Sequence, residues 1–260
     1  MSLASRFGKA AAATLIAGTV GGATLLAAQA VAARTRRYAQ PTLGLALRAS
    51  VGDTRARPLR LVLLGDSSAL GVGVDRITDT VGGHLAGLLT RERARRVELS
   101  SVGVSGSRSA DLATQVARAL LGIPPDIAVV LVGANDATGL RRPNDAAAHL
   151  AAAVRRLREA GVAVVVGTCP DLGAARAFAP PLRQVIGWLG RRVAYAQARA
   201  AEQAGASVVD LAGETGPVFR ADPGTLCYDG FHPSADGYQL WAHALHPAVA
   251  AAAAGIRDRR

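Results

Sequence analysis

From residue 58 to residue 254 the chain alternates short, mostly apolar runs with longer stretches of helical period, and this alternation constrains the fold most. The apolar runs fall at 59–64, 97–102, 126–132, 162–167 and 207–211. Between and after them, helical spacing runs over about 80–93, 109–121, 144–160, 182–204 and 234–254. Ser109 and Asn144 or Asp145 are suited to cap helix starts, and Gly161 and Gly205 to end helices. Apolar runs without strict alternation belong to strands covered on both faces, and strands that alternate with helices form parallel sheets. Right-handed crossovers then predict an α/β fold, a three-layer α/β/α sandwich around a five-stranded parallel sheet. In such sheets ligands bind beyond the carboxyl ends of the strands.

The residues before this pattern are of another kind. Residues 10–33 carry no charge over 24 positions, with Arg6 and Lys9 ahead of them and Arg34, Arg36 and Arg37 behind. That length exceeds a secretory apolar core of about 7–15 residues and suits a spanning helix of about 20. Ala28-Gln29-Ala30 also fits a small-x-small cleavage site. Residues 1–33 are therefore expected to be a signal peptide or an N-terminal membrane anchor. The larger count of basic residues behind the stretch would keep the globular part on the cytoplasmic face, whereas cleavage, or insertion with the N-terminus inside, would export it; export to the cell envelope is the favoured expectation. Residues 34–57 contain Pro41, several arginines and no sustained period, and read as a basic stem. A single globular domain is expected over 58–256.

Charge follows the same division. Of 30 basic and 19 acidic residues, the first 57 positions hold eight and one. The high isoelectric point thus reflects mainly the N-terminal region, and no basic stripe interleaved with aromatics appears after it. Nucleic acid is not an expected partner. Cys169 and Cys227 have no CxxC or histidine spacing around them, so neither a metal nor a cofactor is expected. Export would allow the two to pair as a disulfide.

The residues that carry chemistry fall just after strands or in the last loop. Ser67 follows the first run in Gly65-Asp66-Ser67-Ser68, where Gly65 permits a tight turn. A serine hydroxyl needs a base to become a nucleophile. Tyr228-Asp229-Gly230-Phe231-His232-Pro233 offers one, because Asp229 and His232 on one short loop can touch. The carboxylate would hold one imidazole nitrogen while the other takes the serine proton. Such a base predicts activity lost on the acid side, as the imidazole protonates. An oxyanion needs donors aimed at it. The backbone N–H groups of Ser67 and Gly106 and the side-chain amide of Asn135 stand at strand ends. Asp66 and Asp136 are read as holding loop backbone, and His84, His149, His243 and His246 as helix or surface residues.

Together these blocks resemble the SGNH, or GDSL, hydrolase family from about Leu59 to Leu245. The resemblance rests on Gly65-Asp66-Ser67-Ser68, on Ser105-Gly106, on Gly133-Ala134-Asn135-Asp136 and on Asp229-Gly230-Phe231-His232-Pro233. It implies a flavodoxin-like hydrolase of esters, thioesters or acylated sugars, with Ser67, Asp229 and His232 catalytic and Gly106 and Asn135 in the oxyanion hole. The chain is also similar to exported actinobacterial esterases of that family. The first block reads Gly-Asp-Ser-Ser where the family name has Gly-Asp-Ser-Leu. The expected substrate is a small-molecule, lipid or glycan ester with a short-to-medium acyl chain. Leu70, Val72, Val74, Phe178 and Pro180-Pro181 are candidates for an acyl pocket or for core. Acyl transfer to a sugar hydroxyl is the alternative outcome of the same triad.

Overall fold

The two most aliphatic runs are neighbouring interior strands of the sheet. In the computed structural model, which describes residues 21–43, 47–53, 55, 58–93 and 96–257, these are β4 (Ile127–Leu131) and β5 (Ala163–Gly167). β2 (Pro58–Gly65), β3 (Arg96–Ser101) and β6 (Ser207–Val209) complete a parallel set. A sixth strand, β1 (Arg48–Val51), pairs antiparallel with β3, and the sheet order is β1-β3-β2-β4-β5-β6.

The sheet is therefore mixed and six-stranded, where five parallel strands are expected from sequence. The extra strand comes from the stretch with no sustained period. Arg48 and Ser50 face solvent, so its four residues leave no apolar run to read. β1 is held by its ladder to β3 at the sheet edge, where a polar, short strand is the usual solution.

Period-two alternation distributes the core to two sides. Leu59, Leu61, Leu63, Ile127 and Val129 meet α2 (Val81–Arg93) and α8 (Ala235–Arg257). Val62, Leu64, Ala128, Val130 and Val164 meet α3 (Leu112–Ala119) and α5 (Pro143–Glu159), with Ala201 of α6 (Leu182–Gln203) at the margin. The three layers follow. Two helices depart from expectation. α4 (Ala134–Thr138) is a short turn of helix after β4. α7 (Leu211–Ala221) begins where the fifth apolar run was expected to end, because Asp210 accepts from the Gly213 N–H and starts a helix there. Gly213, Gly216 and Pro217 hide that helix in the sequence.

Residues 21–35 are also helical and are called α1. The first half of the uncharged stretch, 10–20, lies outside the described residues. Among the described residues no helix is long and apolar enough to cross a membrane. Cys169 and Cys227 are free thiols. Cys169 is buried near the end of β5, and Cys227 packs beside Ala39, Leu70 and Val72.

Candidate active site

The turn that carries Ser67 is built by close approach of two strands. Gly65 has φ +136°, and a Cβ there would lie 1.7 Å from the Leu131 carbonyl oxygen. Only glycine lets β2 pass β4 this closely before the chain turns. Asp66 N–H then donates to Leu131 O at 3.0 Å. Ser67 to Gly73 form successive turns.

Buried Gln115 of α3 clips this turn from behind. Its Oε1 accepts from Gly65 N–H at 2.7 Å, and its Nε2 donates to Gly65 O at 2.9 Å and to Ser107 Oγ at 3.1 Å. Gln197 of α6 does the same one strand over, accepting from Cys169 N–H at 2.9 Å and donating to Val132 O at 3.0 Å. Neither glutamine is singled out in the sequence, although each is a polar residue on an otherwise apolar helix face.

The last loop brings the other two residues to Ser67. His232 Nε2 lies 2.9 Å from Ser67 Oγ, and His232 Nδ1 lies 2.6 Å from Asp229 Oδ2. All three residues are buried. Asp229 is heavily solvated by protein. Oδ1 accepts from the N–H groups of Phe231 at 2.7 Å and His232 at 2.9 Å, and from the Cys227 thiol at 3.2 Å. Oδ2 also accepts from Ala39 N–H at 2.9 Å. Burial works to raise the Asp229 pKa, but the bonds from His232, Ala39 and Phe231 outweigh it and hold the carboxyl well below the usual range. Asp229 is thus a fixed anion beside the imidazole. The Ala39 contact, from 190 residues away, has no sequence signal.

The donors flank Ser67. The backbone N–H groups of Ser67 and Gly106 meet no acceptor among the described residues. Gly106 takes φ +80°, with open space where a Cβ would point. Asn135 Nδ2 donates one hydrogen to Ser107 O at 2.9 Å, which leaves its second hydrogen free to turn toward a ligand. Ser67, Gly106, Asn135 and His232 line an open cleft of about 750 Å³, together with Phe178 and residues of α1 and α6. Leu70, Val72 and Val74 do not reach it and are core.

The neighbouring carboxylates hold backbone. Asp136 Oδ2 accepts from Ser109 N–H at 3.0 Å and Ser109 Oγ at 2.9 Å. Asp66 Oδ1 accepts from Ser68 N–H at 2.9 Å. Burial pushes the Asp66 pKa up to about 6, against the Ser68 hydrogen bonds and the charge of His232, which lower it. His84, His149, His243 and His246 sit on α2, α5 and α8, away from the cleft.

A doubly covered sheet with a Ser-His-Asp relay at its carboxyl rim is the architecture of the SGNH hydrolases. The chain belongs to the GDSL-like lipase/acylhydrolase family, whose model matches residues 63–240. It is 40% identical over 193 residues to a GDSL-like esterase from Mycobacterium tuberculosis, covering 74% of this chain. The chain spans about 62% of that relative's length. Two solved structures share the fold. An acetylxylan esterase from Geobacillus stearothermophilus superposes with a TM-score of 0.54 at 21% identity, over 74% of this chain and 94% of that one. An alpha/beta hydrolase enzyme from the metagenome of Lake Arreo, Spain, gives 0.55 at 24% identity, over 73% and 94%.

Proposed function

We propose that the protein is a serine carboxylic-ester hydrolase that works through an acyl-serine intermediate on short-to-medium acyl esters. The observation that supports this best is the unbroken chain from Asp229 through His232 to Ser67, at 2.6 and 2.9 Å, opening on a cleft with unpaired N–H donors. His232 takes the Ser67 proton as Oγ attacks the ester carbonyl, and Asp229 stabilises the imidazolium. The Ser67 and Gly106 N–H groups and the Asn135 amide hold the oxyanion. His232 then protonates the leaving alcohol, and water deprotonated by His232 hydrolyses the acyl-serine.

Hydrolysis of p-nitrophenyl esters by the full chain and by Ser67→Ala tests this reading. The expected loss is about 10³-fold or more, since binding and the oxyanion donors alone leave a small residue of catalysis. An unimpaired Ser67→Ala enzyme refutes it.

We further propose export to the cell envelope. The uncharged stretch, with Arg6 and Lys9 ahead of it, supports this. Protease added to intact cells is expected to degrade the domain; protection until lysis refutes it.

A further inference from the structure

A segment that reads as a leader packs against the catalytic loop. Gln29 on α1 makes two bonds to the start of α6, donating from Nε2 to Pro180 O at 2.7 Å and accepting from Leu182 N–H at 3.1 Å. The second bond satisfies one of the free N–H groups at the start of a helix. Leu26, Ala30 and Ala33 pack on the apolar cluster of Phe178, Leu182 and Ile186. After α1 the chain runs beside the triad. The Tyr38 ring meets Phe231 edge-on at 5.5 Å and His232 at 6.4 Å, and its hydroxyl donates to Ala33 O at 3.0 Å. Ala39 N–H reaches Asp229, and Thr42 Oγ1 donates to Val74 O at 3.0 Å. The segment is thus pinned at both ends and in the middle.

Its inner face lines the cleft. Ser67, Gly106, Asn135 and His232 share that lining with Leu26, Ala30 and Tyr38 and with Leu182 and Ile186 of α6. The Tyr38 hydroxyl is turned to the end of α1, and of the α1 and α6 side chains that line the cleft all are apolar except Arg34. So largely apolar a wall suits an alkyl chain.

We propose that residues 26–39 are a specificity-determining wall of the active site, which selects medium-length apolar acyl chains. This rests on the esterase reading above. The segment belongs to the working enzyme: cutting after Ala30 would remove both Leu26 and the Gln29 bonds. A chain buried in the cleft gains roughly fourfold in kcat/KM for each methylene.

The test is the ratio of kcat/KM for p-nitrophenyl octanoate to that for the acetate, measured on the full chain. Ala30→Trp fills the wall and is expected to lower the ratio at least tenfold. To avoid reliance on one bulky substitution, Ala30→Cys is assayed before and after treatment with an octyl methanethiosulfonate. The wild type, treated alike, controls for Cys169 and Cys227. The alkylated Ala30→Cys enzyme is expected to show the same tenfold fall relative to that control. An unchanged ratio in both variants overturns the wall, even while Ser67→Ala confirms the esterase. Hydrolysis that survives Ser67→Ala overturns the esterase reading and the wall with it.

Discussion

At the scale of the residue, the site depends on how protein groups solvate two buried carboxylates differently. Asp229 accepts from several donors and stays charged; Asp66 accepts from fewer and is raised to about 6. The raised carboxyl binds a proton more tightly folded than unfolded. Its favourable contribution is complete below about pH 4 and lost as pH rises through about 6. Asp66→Asn, which keeps an oxygen for Ser68 N–H, should therefore flatten the fall in stability over that range, by up to about 3 kcal/mol in urea denaturation. Asp229 offers the complementary test. Ala39→Pro removes one N–H donor from its carboxylate. Losing a hydrogen bond to a charged group costs roughly 1.5–3 kcal/mol. The expected result is about a tenfold lower kcat, because the position of His232 is affected.

At the scale of the element, the strand ends are held by side chains from helices behind them. Gln115 closes both polar groups of Gly65, and Gln197 joins the ends of β4 and β5. Gln115→Leu keeps the size but strands a buried N–H and C=O. It should cost about 3 kcal/mol in urea unfolding and lower kcat by displacing the Ser67 turn. An isosteric change with neither effect would show that the clip is dispensable. Such clips explain part of what sequence could not reveal. A glutamine in an apolar helix stripe signals a buried polar role, but its partners are backbone atoms with no residue signature. The same holds for β1, whose ladder uses main-chain groups and whose side chains are polar on one face.

At the scale of the whole molecule, the sheet is densest at β2, β4 and β5, where residues on both faces are covered. Hydrogen exchange should accordingly be slowest in those strands and faster in β1 and β6 at the edges. Uniform protection across the six strands would contradict this gradient. The N-terminal segment changes the picture of the molecule most. A linear division into leader, stem and domain gives way, over the described residues, to a sheet that borrows β1 from the stem and a cleft that borrows α1.

The layered fold was legible because covered parallel strands must be nearly all apolar, and that pattern survives in one dimension. Ser67, Asp229 and His232 stand out in the sequence because the proposed chemistry requires particular side chains, and the turn at Gly65 requires a glycine. The neighbours that complete the site were decided only by tertiary structure. Ala39 contributes a backbone N–H and Ala30 a methyl surface, properties shared by many residue types. Their roles come from where the folded chain places them, so no spacing in the sequence could announce them.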